Sequence, residues 1–438
     1  MNLLDKCRIG WRILGHGRLR SAYYTLAETR RDRQRVAAEA DAAFRYVVDE
    51  SARYAAMPQA ATTGRHLEAA IAWLLRAQDA SRDGGFSLGY FPLRRETRAH
   101  GPTPGWMPSY PETTGYIIPT LLDRARRGDA AELRERALRA ADWEIDVQME
   151  SGAVQGGPVC ERARQTPAVF NTGQVIFGWL AAHAETGERR YLDAARRAGE
   201  FLLGSMDERG EYVRNLSGFA AAGHQTYNVR CSWALYDLSR ATGDERFRQA
   251  AVKNVQSVVT GRTLSNGWVT ENDLSDPERP LVHTIAYTMQ GVLEVGIAEG
   301  RADIIDAVER GAIEIARRIE EDGFLAGCWF RDWRPAATWC CLTGSAQLAI
   351  ILHRLAPLRP AANHAQAAAR LIEFCSRCQR LDSPLDGVRG GLAGSNPILG
   401  AYMRGGYPNW ATKFLADALM RAEDAERGAA GRYAYLAG

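Results

Sequence analysis

Two stretches of this chain, AHAETGERRYLDAARRAGEFL (182–202) and LSRATGDERFRQAAVKNVQSV (238–258), run through the same succession. Each is an apolar helix, then a Thr-Gly-acid turn, then an Arg-aromatic opening into a second, amphipathic helix. Thr186 of the first turn corresponds to Thr242 of the second. Self-similarity at this period is the mark of an array of supersecondary units, each burying its apolar face against its neighbours. That constraint matters because the chain has 438 residues, more than the roughly 250–300 that a simple single core accommodates.

Apolar spacing and helix breakers extend the pattern along the chain. Nearly all-apolar helices are predicted at about 112–123, 171–184, 227–241, 283–298, 338–355 and 408–422. Charge-striped helices are predicted near 64–78, 130–148, 190–204, 245–260, 301–320 and 361–378. A helix apolar on every side is buried, and a striped one faces water on one side. Six buried and six exposed helices in alternation describe an all-α fold, an (α/α)6 toroid of six helical hairpins. The unpartnered exposed helix at 64–78 and the unpartnered buried helix at 408–422 pair to close the ring. Residues 1–60 are expected to form an N-terminal helical extension, and 61–438 the toroid, with MPQAATTG (57–64) as the junction.

Composition narrows the function classes. The formal charge is +3, too small to indicate a nucleic-acid partner, and the basic stretch from Arg18 to Arg35 reads as a solvated helix face. No stretch approaches the about 18 apolar residues of a membrane span. The start MNLLDKCRIGWRILGHG lacks the continuous apolar run of a signal peptide, so a cytoplasmic protein is expected. Cys375 and Cys378 make one CxxC without a second pair or flanking histidines, and Cys340 and Cys341 are adjacent. These read as thiols in a reducing compartment, with no metal site and no cofactor.

Gly-rich, aromatic returns such as DGGFSLGYFPL (83–93), SGAVQGGPV (151–159), SNGWVTENDLSDPERP (265–280) and DGFLAGCWFRDWRP (322–335) lead from each exposed helix to the next buried one. They place one rim of the ring at the N-termini of the buried helices, where positive dipole ends and free N–H groups converge. The helix starts there are YPETTGY (110–116), VFNTGQ (169–174), QTYNVRCSW (225–233), LVHTIAY (281–287), ATWCCLTG (337–344) and YPNWATK (407–413). The candidate residues gathered are Glu112, Tyr116, Asn171, Tyr227, Arg230, His283, Tyr287, Trp339, Trp410 and Lys413. Aromatics, an amide and cations around a cleft suit a sugar carrying a carboxylate. Glu271 and Asp273, on the loop before His283, offer a second carboxylate opposite Glu112, as glycoside hydrolysis requires.

The hairpin count and the TGERRYL and TGDERF turns resemble the (α/α)6-toroid carbohydrate-active enzymes over residues 64–422. That group includes six-hairpin glycosidases, polysaccharide lyases, glucuronyl C5-epimerases and N-acylglucosamine 2-epimerases. YPETTGYIIPTLL also resembles a motif in proteins of bacterial exopolysaccharide clusters. The Asp-Asp-rich motif of terpenoid-cyclase toroids is absent from the sequence. The resemblance implies an oligo- or polysaccharide partner. Its leading expectation is proton abstraction at C5 of a uronate-containing glycan, by lyase or epimerase chemistry. His283 or Tyr287 would move the proton, Asn171 and Arg230 would neutralise the carboxylate, and Tyr116, Tyr227, Trp339, Trp410 and Lys413 would bind sugar. Two alternatives stand beside it: a glycoside hydrolase using Glu112 with Glu271 or Asp273, and a non-catalytic glycan-binding toroid.

Overall fold

A computed structural model describes residues 60–91, 105–128, 130–218 and 225–427. The expected N-terminal extension lies outside them except for its last residue. Among the described residues are twelve α-helices: α1 Thr63–Ser81, α2 Pro111–Gly128, α3 Ala131–Asp146, α4 Val169–Thr186, α5 Arg189–Gly204, α6 Val229–Thr242, α7 Glu245–Ser257, α8 Val282–Ala298, α9 Ala302–Ala316, α10 Leu342–Leu355, α11 His364–Cys378 and α12 Asn409–Glu426. The even-numbered helices form an inner ring and the odd-numbered ones an outer ring, which is the (α/α)6 toroid. The reason lies in their residues. All of α4 from Val169 to Ala182 is buried, whereas α5 buries only the stripe Tyr191, Ala194, Ala195, Ala198, Gly199 and Leu202.

The repeated Thr-Gly turns end inner helices in the same way. Gly187 and Gly243 take left-handed φ of 73° and 71°, and their N–H groups donate to the carbonyls of His183 at 2.7 Å and Ser239 at 2.8 Å. The Thr186 and Thr242 hydroxyls accept from the N–H groups of Glu188 and Asp244. Asp244 then caps α7 by accepting from Arg246 N.

At the other end of each hairpin the six returns share one device. Gly84, Gly152, Gly210, Gly267, Gly323 and Gly390 all have positive φ, and each lies against the outer helix of the following hairpin. Gly390 shows why the position needs glycine. Its φ is 83°, and a Cβ there would run into the carbonyl of Ala69 in α1. That contact joins the last return to the first outer helix and so closes the ring.

Four two-residue strands stitch the returns together: β1 Gly89–Tyr90, β2 Cys340–Cys341, β3 Ser395–Asn396 and β4 Tyr407–Pro408. β1 pairs antiparallel with β4, which ties the first return to the start of the last inner helix. β2 pairs antiparallel with β3, and for this reason α10 begins at Leu342 and not near 338 as its apolar run suggests. No helix among the described residues is long and apolar enough to cross a membrane.

Candidate active site

The N-termini of the inner helices surround a cleft of about 760 Å³ of empty space open to solvent. Its walls are mostly rings and aliphatic groups: Tyr110, Phe170, Tyr227, Tyr287, Tyr402 and Trp410, with Leu88, Leu274 and Met403. The polar groups among them are few, chiefly Glu112, His283, Thr284 and Ser217. A concave apolar site with a small convergent polar set is the usual form of a ligand pocket.

Glu112 is placed by the start of α2. Pro111 opens the helix and Glu112 occupies its first turn, where proline's fixed φ and a negative charge are both favoured. The side chain is only 7 % exposed. Tyr110 OH donates to Glu112 Oε2 at 2.5 Å, and Asn171 Nδ2 donates to Tyr110 OH at 3.3 Å. Burial raises the Glu112 carboxyl to about 7, against the lowering effects of the Tyr110 hydrogen bond and the Arg230 charge. A carboxylic acid that keeps its proton near neutral pH can act as a general acid.

His283 is fixed differently. Nδ1 lies 2.6 Å from Gln347 Oε1, and an amide oxygen accepts, so Nδ1 carries the proton and Nε2 is left as the lone-pair nitrogen. The ring packs on Tyr287 and Tyr402, with centroids 4.3 and 5.4 Å away. Burial and the Arg230 charge hold its pKa down at about 3, despite the Gln347 hydrogen bond. At neutral pH this imidazole is uncharged and weakly basic.

Behind the cleft wall lies a buried polar layer. Arg230 donates through Nε to Gln174 Oε1 at 2.8 Å and through Nη1 to Gln290 Oε1. Its guanidinium sits among the rings of Tyr287, Trp233, Phe177 and Phe414, at 5.0 to 5.8 Å. Asn171 is fully buried. Tyr116 OH is 3.5 Å from Tyr287 OH.

The residues proposed from sequence therefore divide. Glu112, Tyr227, His283, Tyr287 and Trp410 meet at the cleft. Asn171, Arg230 and Tyr116 support it from behind. Lys413 lies in the barrel core, where Nζ donates to Asp417 Oδ2 at 2.5 Å and sits 4.3 Å from the Phe414 ring centroid. Trp339 packs on Gly327 and Gly400 among the returns, ahead of α10. Glu271 turns outward to Arg262 at 2.8 Å, its side chain 43 % exposed.

Asp273 differs from Glu271. It is 6 % exposed, and its Oδ1 finds no hydrogen-bond donor among the described residues. Burial, with Asp276 and Glu271 nearby, raises its carboxyl. Its neighbour Asn272 is clamped to α8. Asn272 Oδ1 accepts from Thr288 Oγ1 at 2.8 Å, and its carbonyl accepts from Thr284 Oγ1 at 3.3 Å. The phenol of Tyr227, in the cleft wall, feels the charges of both Glu112 and Asp273.

Sequence reasoning missed Tyr110, Phe170 and Tyr402. Tyr110 stands two residues before Glu112, and Phe170 immediately before Asn171. Tyr402 lies on the long last return, where its OH accepts from Trp410 Nε1 at 2.8 Å. The thiols of the CxxC pair, Cys375 and Cys378, are pushed up by burial. Asn396 Nδ2 donates to Cys378 Sγ at 2.7 Å.

No protein-family model matches this sequence, and no curated protein matches it. Solved structures do match in three dimensions. An unsaturated glucuronyl hydrolase specific for heparin is similar with a TM-score of 0.62 and 15% identity, covering 83% of this chain and 98% of that one. The unsaturated glucuronyl hydrolase of Bacillus sp. GL1 gives 0.63 and 14%, covering 85% and 99%. An alpha-amylase from Clostridium perfringens gives 0.59 and 12%, covering 81% and 97%. At these identities the likeness establishes the (α/α)6-toroid fold, shared with carbohydrate-active enzymes.

Proposed function

We propose that this chain is a glycoside hydrolase acting on an oligosaccharide, with Glu112 as general acid and Asp273 as the second carboxylate. The observation that carries the reading is Glu112: a buried carboxyl raised to about 7 that opens into a cleft walled by rings. In the reaction it gives its proton to the glycosidic oxygen as the C–O bond breaks. Asp273, in its carboxylate form, would serve the anomeric carbon or the attacking water, as either stereochemical course requires. Trp410, Tyr227 and Tyr402 supply faces for the sugar ring.

The same geometry weakens the C5-abstraction reading. Arg230, expected to neutralise a uronate carboxylate, has amide oxygens on Nε and Nη1 and stands behind Tyr287. Asn171 faces Tyr110. His283, held near 3, is a poor base for a carbon acid. Hydrolysis is also the activity named for the glucuronyl hydrolases that share the fold, one of them in complex with dGlcA-Glc-Rha-Glc. A glycan ending in an unsaturated glucuronyl residue is accordingly the first substrate class to try.

The test is release of new reducing ends from unsaturated glucuronyl disaccharides and from neutral oligosaccharides. Wild-type protein is expected to turn over one of these classes, and Glu112→Gln to lose about 10²–10⁴-fold in kcat. Undiminished turnover in Glu112→Gln overturns the assignment. Binding of the sugar without any turnover in the wild type leaves the glycan-binding alternative in its place.

A further inference from the structure

Tyr110 has one proton to give and two hydrogen-bond neighbours. The contact to Glu112 Oε2, at 2.5 Å, has the length of a hydroxyl donating to a carboxylate. The contact to Asn171 is made by the amide nitrogen, which can only donate. Asn171 therefore occupies a lone pair of the tyrosine oxygen and leaves the hydroxyl proton directed at Glu112. Oε2, already accepting, is then the poorer place for the carboxyl proton. Oε1 remains, on a side chain that lines the cleft.

We infer that Tyr110 and Asn171 are positioning residues, a one-way relay from α4 to the start of α2 that keeps the Glu112 proton on Oε1, toward the substrate. Its mechanistic use rests on the glycosidase reading; the hydrogen-bond order does not. The relay explains why a fully buried asparagine lies one residue past the cleft-lining Phe170. It also separates Tyr110 from the other phenols near Glu112. Tyr116 on α2, Tyr227 ahead of α6, Tyr287 on α8 and Tyr402 on the last return all feel the Glu112 charge. Cys231 and Arg230 on α6 do so too. Among the described residues only Tyr110 donates a hydrogen bond to that carboxyl.

The test reads the proton directly and needs no substrate. Infrared difference spectra across a pH series follow the carboxylic-acid C=O band of Glu112, assigned by its loss in Glu112→Gln. Buried acids such as Glu144 and Asp237 are common to both proteins and cancel. Tyr110→Phe keeps the ring and removes the donor, so the midpoint is expected to rise by about one to two pH units, the equivalent of one hydrogen bond to a charged group. Asn171→Leu, which leaves Tyr110 in place but frees its hydroxyl to rotate, is expected to raise the midpoint by about half a unit or more. An unchanged or lowered midpoint in either variant overturns the inference, and Asn171→Leu carries the test if Tyr110→Phe does not fold. A purely packing role for either residue would lower the melting temperature and leave the midpoint where it is. Absence of glycan turnover, in contrast, counts against the glycosidase reading alone.

Discussion

Replacing Glu112 by Gln should make this protein less active and, at neutral and alkaline pH, more stable. The carboxyl is raised from an ordinary 4.5 to about 7 in the folded state, so the folded protein holds this proton more tightly than the unfolded chain. A raised carboxyl contributes stability that is fully present below pH 4.5 and lost as the pH climbs to 7. Converted at 1.36 kcal/mol per unit, the loss amounts to about 3 kcal/mol. Glutamine resembles the protonated acid: its amide oxygen still accepts from Tyr110, and no charge forms at any pH. Across a toroid of this size 3 kcal/mol corresponds to about 4 °C in melting temperature. Calorimetric melts of wild type and Glu112→Gln should therefore run together near pH 4.5 and separate through neutrality, the variant melting higher above about pH 7. Parallel melting curves over that range would refute the burial argument for Glu112, whatever the substrate proves to be.

The other expectations are more local. Asp273→Asn should lower kcat by about 10²–10⁴-fold. Glu271→Gln, which breaks only the half-exposed pair with Arg262, should change activity and stability little, since such pairs contribute about 0–1 kcal/mol. Gly390→Ala should lower the free energy of unfolding by at least about 1–3 kcal/mol in urea titrations, from left-handed backbone strain alone, with the clash against the Ala69 carbonyl added. Gly64→Ala, where a Cβ meets nothing within 4 Å, is the matched control and should be neutral or slightly stabilising.

The ring was legible because it is written in periodicity. An inner helix such as α4 is apolar around its whole circumference and an outer one such as α5 only along a stripe, and sequence carries that difference directly. What it concealed was the sixfold glycine device. Gly84 and Gly390 look like any other glycine in a Gly-rich return until φ and the facing outer helix are known. The rim was legible for the same reason as the helices, since side chains at the starts of inner helices must gather at one end. Which of them face the cleft was not legible. Successive residues on a helix are turned by about 100°, so Phe170 lines the cleft while Asn171 points into the wall. Lys413, about one turn beyond Trp410, descends into the barrel and pairs with Asp417. That Asp273 is buried while Glu271 turns out to Arg262 depends on a loop held to α8 through Asn272, and no local pattern encodes that path.

The two carboxylates of the proposed pair are held by unlike supports, and the difference has a measurable consequence. Glu112 stands on a helix and is fixed through Tyr110 and Asn171, so its position is set by the inner ring itself. Asp273 stands on the return that leads into α8, and its nearest anchor is the neighbouring Asn272, bonded to Thr288 and Thr284. Positioning a reacting group to within a fraction of an ångström depends on such supports, and the helix is the stiffer of the two. Thr288→Val keeps the shape of the buried side chain but removes the donor to Asn272 Oδ1. It should therefore cost activity out of proportion to stability, about 10-fold or more in kcat against roughly 1 kcal/mol in unfolding. The infrared midpoint of Glu112 should stay in place, because Thr288 does not touch the relay. If Thr288→Val moves that midpoint or leaves kcat untouched, the loop carboxylate is not the partner of Glu112.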